Sequence, residues 1–347
     1  MAKTIRLKTS LFFSALLLVL ACKNKERIFI TRSTPTRDII AYHYDRCNEK
    51  DLFITFNIDR YARKVFKKRL FSVFFKLLHN SNFNRKNKRS FILCNIESQA
   101  TVDLIKYLYP KATIYGKYVD IMSCFFKSKA EFLSNTRGCY EIDSYSKDDC
   151  QIFNLKYIPD LANIDRLNAL IKKTEQQNII LFIGVYSKVR FKSLCNFLEK
   201  FGSYDIKFKF KLLFEHDSDL NEQLPTINDL NQRFTYKPIE VIRNFISYEE
   251  YLRNLAGAVG IIDFYRVKKD EGHSFRVLEC VAANKKLITN RDLKCESFYN
   301  KDLIFNIDED TPEDFAKFLE SHAVYDKSEL ISFQSHLSKG YLPELLK

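Results

Sequence analysis

Two glutamates, Glu271 and Glu279, have seven residues between them in the segment DEGHSFRVLECVAANKKLIT, which runs from residue 270 to residue 289. The pattern predicts a loop that follows a buried strand at 259–264 and leads into a helix at 274–284. The start of a helix offers N–H donors and a positive dipole, which suit phosphate oxygens. Since a carboxylate in the helix can accept hydrogen bonds from vicinal sugar hydroxyls, the spacing predicts a site for a phosphate and a polyol.

Four neighbours of these glutamates complete the predicted site. Gly272 would let backbone N–H groups approach a ligand closely, and Ser274 opens the helix. Arg276 lies in the first turn and could add a charge-assisted bond to phosphate. His273 could contact the ligand or simply fill the loop, and Glu271 could meet a second polyol.

A simpler interpretation of the two acids involves no ligand. Glu271 would then be an exposed loop residue, and Glu279 would pair with Lys285 or Lys286. Residue types alone leave both interpretations open.

Alternating strands and helices should position this site. We predict strands at 27–31, 51–58, 90–96, 111–119, 178–187, 206–214, 233–239, 259–264, 285–290 and 302–308, and helices at 35–46, 61–80, 100–110, 190–202, 247–258, 274–284 and 312–321. Repeated β-α-β units imply parallel sheets with helices on both faces, here in two α/β domains with a boundary near 155–175. Ligands of such sheets bind at the carboxyl ends of the strands.

Several helix ends carry local signals. Gly202 is expected to cap the helix at 190–202, and Ser247 is expected to cap the helix at 247–258. The acidic pair Asp148–Asp149 is better explained as a helix start near Ser146 than as a metal-binding pair.

The composition favours anionic partners. Among 347 residues, 56 are Lys or Arg and 43 are Asp or Glu, which gives a net charge of +13. Basic clusters at 63–69 and 84–90 lack zinc-finger spacing or an aromatic RNA-binding pattern, so we interpret them as solvated faces, with nucleic-acid binding as the weaker alternative. The helix at 61–80 is basic and amphipathic, which suits core packing or, alternatively, a membrane surface. Nine scattered cysteines without a CxxC pair indicate reduced thiols in the cytoplasm.

The first 26 residues allow several interpretations. Basic residues precede an apolar run at 11–22, and VLAC, ending at Cys22, resembles a bacterial lipoprotein cleavage site. The same stretch also fits a strand at 4–8 and a buried helix at 10–23, or a peripheral anchor, because the run is short for a transmembrane helix. We expect a cytoplasmic protein, peripheral to or anchored in the inner membrane, with export as a lipoprotein as the alternative.

The segment at 270–289 resembles the E-x7-E element of GT-B glycosyltransferases. It is closest to the bacterial capsular and lipopolysaccharide biosynthesis glycosyltransferases, which carry R-x-x-E-x-x-x-x-x-K-K-L-I-T followed by F-Y and an I-x-x-I-D strand. Arg276 and Glu279 fall on this pattern, and Phe298-Tyr299 and LIFNIDED follow. The segments LFIGVYSKVR, FTYKPI and YEIDSYSKDDCQIFNLKYIP resemble further parts of the group, so that the likeness covers roughly residues 90–310.

The resemblance implies a GT-B fold, in which two Rossmann-like domains face each other across a cleft. On this resemblance, residues 27–160 would form the acceptor domain and residues 161–310 the nucleotide-sugar domain. The hydrophobic segment over 1–26, an anchor, a signal or a first strand and helix, has no counterpart in the group, and a helical tail is predicted over 311–347.

The same resemblance assigns roles to residues of the second domain. Glu279 would bind the ribose, while Arg276, the helix start and Lys237 would hold the diphosphate. Gly184 would give the phosphates access to the backbone, and Glu271 would meet the donor sugar.

The implied activity is a hexosyltransferase-type glycosyl transfer from a nucleotide-sugar donor to a saccharide or lipid-linked saccharide acceptor of a surface polysaccharide or lipopolysaccharide. The resemblance implies no metal, other cofactor or nucleic acid. Peripheral contact with an anionic membrane is compatible with this activity. The chain departs from the group where DEGHS replaces the usual Q-x-G-L-T. His43 and Asp120 are weak candidates for a base, so inverting and retaining chemistry both stay open. The alternative is a non-catalytic GT-B-like or lipoprotein binding module.

Overall fold

The computed structural model describes residues 4–6, 27–31, 51–55, 89–96, 98–118, 122, 126–158, 164–264, 274–328, 330 and 331. The chain forms two compact units, one built on residues 1–160 and the other on residues 161–336.

Unit 1 is an α/β unit with a parallel sheet of seven strands. The strands are β1 (Thr4–Arg6), β2 (Arg27–Thr31), β3 (Asp51–Thr55), β4 (Ser90–Cys94), β5 (Thr113–Tyr118), β6 (Glu141–Ser144) and β7 (Lys156–Tyr157), and the described helices are α1 (Gln99–Leu108), α2 (Lys129–Asn135) and α3 (Lys147–Phe153). The spatial order is β1-β3-β2-β4-β5-β6-β7, and every neighbouring pair is parallel.

Unit 2 is built on a parallel sheet of six strands. In chain order its elements are α4 (Ile164–Ile171), β8 (Ile179–Val185), α5 (Lys188–Phe201), β9 (Lys207–Leu213), α6 (Asp217–Arg233), β10 (Ile239–Ile242), α7 (Tyr248–Gly257), β11 (Gly260–Asp263), α8 (Phe275–Ala282), β12 (Lys286–Thr289), β13 (Ile304–Asn306) and α9 (Pro312–Glu320).

The strand order of unit 2 determines where a ligand can bind. The sheet runs β10-β9-β8-β11-β12-β13, so the chain moves outward from β8 to β10 and then returns to place β11 on the other side of β8. In a doubly wound sheet this reversal opens a crevice at the carboxyl ends of the two central strands. The edge formed by the ends of β8 and β11 is therefore the expected ligand site of this unit.

The predicted α/β fold is confirmed in both units. The strand predicted at 27–31 is β2, and the strand predicted at 259–264 contains β11. The strand predicted at 4–8 is present as β1, which pairs with β3. The rest of the hydrophobic segment and the basic helix predicted at 61–80 lie outside the described residues. No helix within the described parts of the chain is both long enough and apolar enough to cross a membrane.

Serine hydroxyls begin two helices as predicted. Ser247 Oγ accepts a hydrogen bond from the backbone N–H of Glu250 at 3.1 Å, which caps α7. Ser146 Oγ accepts from the N–H of Asp149 at 3.2 Å, so that Asp148 and Asp149 lie in the first turn of α3.

Three helices are absent from the sequence-based prediction: α2, α4 and α6. The longest, α6, buries only Leu220, Ile227 and Leu230 and contains Pro225, so its apolar period is weak and interrupted. The strand predicted at 233–239 was wrong in position for the same reason. Helix α6 extends to Arg233, and the strand β10 begins at Ile239.

Helix α9, at the start of the predicted helical tail over 311–347, packs into the core of unit 2. The ring of Phe315 is fully buried and lies 4.4 Å from that of Phe201 and 4.9 Å from that of Phe305, measured between centroids. Aromatic packing of this kind ties the helix to α5 and β13.

Gly202 ends α5 as predicted, but its backbone is right-handed, with φ of −67°. The reason for glycine is close approach, because a Cβ at this position would lie 2.4 Å from the Leu198 carbonyl oxygen and 2.6 Å from the Phe234 ring. We therefore expect Gly202→Ala to lower the free energy of unfolding by about 1–3 kcal/mol through overpacking. Urea denaturation followed by circular dichroism measures this change.

Gly257→Ala is the matched control, because Gly257 also ends a helix in unit 2. Its added Cβ would meet only Thr174 Cγ2 at 3.3 Å and the Glu175 carbonyl oxygen at 3.6 Å. We expect a change of less than about 0.5 kcal/mol. Equal losses in the two variants would contradict the close-approach argument for Gly202.

Candidate functional site

The candidate site lies at the carboxyl ends of β8 and β11. Gly184 precedes the last residue of β8, and Asp263 is the last residue of β11. The two strands pair directly in parallel, and α8 is the helix that follows β11. Helix α8 therefore starts at the same edge of the sheet, as the sequence predicts for a βα unit.

Asp263 is the centre of a network of polar side chains. It is buried, and its carboxylate lies 2.9 Å from Arg291 Nε and 3.6 Å from Arg276 Nη1. Ser274 Oγ donates a hydrogen bond to the same carboxylate at 3.2 Å. Burial alone would raise the pKa of this carboxyl, but the charges of Arg291, Arg276 and Arg190 outweigh burial and lower the pKa below its usual value.

Arg190 brings a third positive charge to this edge of the sheet. Its Nε donates to the carbonyl oxygen of Phe264 at 3.0 Å, and its Nη1 donates to that of Val185 at 2.9 Å. These carbonyls follow β11 and end β8, so the guanidinium bridges the two strands. Among the described residues, three arginines thus act electrostatically on this one carboxylate.

Arg276 lies against Gly184. A Cβ on Gly184 would be 3.4 Å from Arg276 Nη2 and 3.0 Å from the ring of Phe182. The guanidinium also lies 5.9 Å from the centroid of the Phe182 ring and 5.8 Å from that of Phe275. The absence of a side chain at position 184 therefore gives the arginine room beside the end of β8.

Among the described residues, no side chain caps the start of α8. Ser274 is the N-cap residue, with φ of −69° and ψ of 163°, but its side chain makes no capping hydrogen bond. Its hydroxyl bonds Asp263 instead. The first N–H groups of a helix have no partner within the helix, so the backbone N–H groups of Phe275 and Arg276 can bind an anion.

Glu279 is fully buried one turn beyond this helix start, where the hydroxyl of Tyr248 donates a hydrogen bond to its carboxylate. The alternative in which it pairs with a lysine is not what the structure shows. Lys285 Nζ donates to the carbonyl oxygen of Ala256 at 3.0 Å, and Lys286 Nζ donates to that of Ser321 at 2.7 Å. Lys285 therefore donates to a carbonyl in the last turn of α7, and Lys286 donates to the carbonyl of the C-cap residue of α9.

The structure brings together Gly184, Ser274 and Arg276, but it places Lys237 elsewhere. Lys237 is exposed and lies just before β10. Because the strands are parallel, the amino end of β10 lies at the opposite edge of the sheet from the ends of β8 and β11. The predicted residues Glu271, Gly272 and His273 lie outside the described residues, as do His43 and Asp120.

Sequence reasoning missed the residues that organise this site, namely Asp263, Arg190, Arg291 and Tyr248. Asp263 carried a usable signal, because an acid that ends a buried apolar strand before a glycine-containing loop is costly unless it is paired. The others become visible only when the strands are placed side by side.

Comparisons with solved structures find the same fold in two proteins that were solved in complex with UDP. An α-glucosyltransferase (AGT) in complex with UDP matches with a TM-score of 0.55 and 12% identity over 93% of this chain and 100% of the other. HepE of Anabaena in complex with UDP and glucose matches with a TM-score of 0.56 and 9% identity over 92% of this chain and 100% of the other. No protein-family model matches the chain, and no curated protein matches it.

At these identities the likeness concerns the fold. The two parallel-sheet units, the strand order of unit 2 and the near-complete coverage agree with one another. The chain has the α/β fold of these two proteins, the GT-B fold.

Proposed function

We propose that this chain is a glycosyltransferase that binds the diphosphate of a nucleotide-sugar donor at the start of α8. The observation that carries the proposal is the convergence of Gly184, Ser274 and Arg276 at the carboxyl ends of β8 and β11. The likeness to an α-glucosyltransferase and to HepE, both solved in complex with UDP, supports a nucleotide donor.

Charge supports a diphosphate as the ligand of this edge. Arg190, Arg276 and Arg291 contribute three positive charges, and Asp263 contributes one negative charge. A diphosphate would place negative charge beside these arginines, and the first N–H groups of α8 would add donors and a positive dipole. These groups would also stabilise the leaving diphosphate during sugar transfer, so we propose a metal-independent reaction.

Arg276 is the arginine best placed to touch the ligand. Arg291 is buried and donates a hydrogen bond to Asp263, and Arg190 donates to two backbone carbonyls. The side chain of Arg276 is 21% exposed and makes the longest contact with the aspartate, at 3.6 Å. Asp263 and Arg291 therefore position the cluster, while Arg276 presents its guanidinium to the phosphates.

Glu279 stays a predicted ribose ligand. Its carboxylate is inaccessible to solvent in the free protein and bonded to Tyr248. A ribose contact requires the nucleotide to uncover this carboxylate when it binds.

We further propose that the acceptor is a saccharide or lipid-linked saccharide of a surface polysaccharide or lipopolysaccharide, and that transfer takes place in the cytoplasm at the inner membrane. The support is the family resemblance over residues 90–310 together with the net charge of +13, which favours approach to anionic lipid.

Thermal-shift measurements with UDP, ADP, GDP, CDP and dTDP, followed by assays with the matching nucleotide sugars, test the proposal. A nucleotide present at 100 times its Kd should stabilise the protein by about 2.7 kcal/mol. Sugar release or transfer from the donor then supports an enzyme. Binding without turnover of any donor sugar supports the non-catalytic module, and the absence of binding by every nucleotide contradicts both.

A further inference from the structure

Tyr251 lies on α7, one turn after Tyr248, and faces the start of α8. The rings of the two tyrosines are stacked, with centroids 5.8 Å apart and an interplanar angle of 14°. The ring of Tyr251 also meets that of Phe275 edge-on, at 6.4 Å between centroids. Because Phe275 is the first residue of α8, Tyr251 packs beside the helix end that we assign to the diphosphate.

The hydroxyl of Tyr251 is buried and, within the described part of the chain, has no hydrogen-bond partner. The whole residue is only 8% exposed. A buried hydroxyl with no partner is costly, so this group calls for a physical explanation, and a polar ligand that supplies the missing partner is one. Two other described tyrosines of this unit have a buried hydroxyl that does make a hydrogen bond. Tyr248 donates to Glu279, and Tyr325 donates to the carbonyl oxygen of Leu303 at 3.1 Å.

The electrostatic surroundings of this hydroxyl are those of the candidate site. Burial raises the pKa of Tyr251, the charge of Arg276 lowers it, and the charges of Asp263 and of the buried Cys280 raise it again. The phenol therefore stays neutral and remains a hydrogen-bond donor, close to the arginine that we propose to contact phosphate.

We propose that Tyr251 donates a hydrogen bond to a phosphate oxygen of the nucleotide, which uncovers the buried hydroxyl as it binds at the start of α8. This inference rests on the proposed function, because it requires a nucleotide at that helix end. The phosphate is the better acceptor than the ribose, since Tyr248 already occupies the side of the stacked pair that bonds Glu279, the predicted ribose ligand. Tyr251 would thus distinguish a nucleoside diphosphate from a nucleoside.

Removal of the hydroxyl separates this role from a structural one. In Tyr251→Phe we expect the Kd for UDP, or for whichever nucleoside diphosphate the protein binds, to rise about tenfold. Binding of the matching nucleoside should not change, because it carries no phosphate. The urea midpoint of the free protein should stay the same or rise, because the variant removes a hydroxyl that has no partner.

Tyr325→Phe is the matched control. It removes a buried phenol hydroxyl that does have a protein partner, so the urea midpoint should fall while the Kd for UDP stays at the wild-type value. Isothermal titration calorimetry gives both affinities, and denaturation gives both midpoints.

Each result decides between the alternatives. A tenfold loss in Tyr251→Phe alone supports the inference. Wild-type UDP affinity in Tyr251→Phe would overturn the inference and leave the proposed function standing. A fall in the urea midpoint of Tyr251→Phe as large as that of Tyr325→Phe would have the same consequence, because the hydroxyl would then have a protein partner. If the wild-type protein binds none of the five nucleoside diphosphates, the proposed function fails, and this inference fails with it.

Discussion

Replacement of Arg276 by alanine is expected to slow sugar transfer by about 100-fold at saturating donor, since one preorganised donor to the developing negative charge is lost. The guanidinium lies beside Gly184 and in the first turn of α8, where a leaving diphosphate would gain negative charge as the sugar departs. Lysine at this position should recover only part of the rate, because it cannot form the two parallel bonds of a guanidinium. Initial rates of donor consumption measure both variants.

Arg253→Ala is the matched control for this experiment. Arg253 also lies on a helix of unit 2, but its side chain is 64% exposed and pairs with Glu249 in the same helix. It should keep the wild-type rate. A wild-type rate of transfer in Arg276→Ala would show that the assignment of the diphosphate site to the start of α8 is wrong. A rate loss of equal size in Arg253→Ala would indicate a general effect of charge.

The fold of unit 2 was predictable from sequence because its central strands are short apolar runs with clear ends. β8 follows a polar stretch of sequence and is followed by Ser187, which caps α5. β11 follows α7 and precedes a sequence segment that contains Gly272. Helix α6 was not predictable in the same way, because three buried apolar residues in a largely polar helix do not produce a strong period.

The candidate site was predictable only where its residues are neighbours along the chain. Ser274 and Arg276 follow from the helix start, and Gly184 follows from the strand-to-turn pattern that it shares with the resembling group. The bond between Arg291 and Asp263 spans 28 residues, and that between Arg190 and the Phe264 carbonyl spans 74, so neither is visible before β8, β11 and β12 are placed side by side.

Lys237, which a local resemblance selected, lies at the opposite edge of the sheet from the other described residues of the predicted site. FTYKPI resembles the strand and turn before a nucleotide-facing helix, but the lysine precedes β10 rather than following it. A residue before a parallel strand lies at the amino edge, and the ligand edge of unit 2 is the carboxyl edge.

Replacement of Asp263 by alanine is expected to lower the free energy of unfolding by about 3–5 kcal/mol, the cost typical of removing one partner from a buried ion pair. Arg291 is 2% exposed at its side chain and would keep its charge in the interior without the carboxylate, and Arg276 and Ser274 would lose the same partner. Urea denaturation measures the loss. A second substitution, Arg291→Met, should recover part of it, because the buried charge is then removed as well.

Asp217→Ala is the matched control, since it removes an aspartate–arginine pair of similar length at the surface. Asp217 lies 2.7 Å from Arg243, and the two side chains are 82% and 51% exposed, so its loss should cost less than about 1 kcal/mol.

The buried ion pair of Asp263 also predicts how the free energy of unfolding depends on pH. Because the folded pKa of Asp263 is lowered, its contribution is complete above the unfolded value of 3.8 and is lost as the pH falls through the folded pKa. Equal destabilisation in the two variants would mean that Asp263 does not hold the arginines together, and the rigid cluster on which the diphosphate site depends would have to be sought elsewhere.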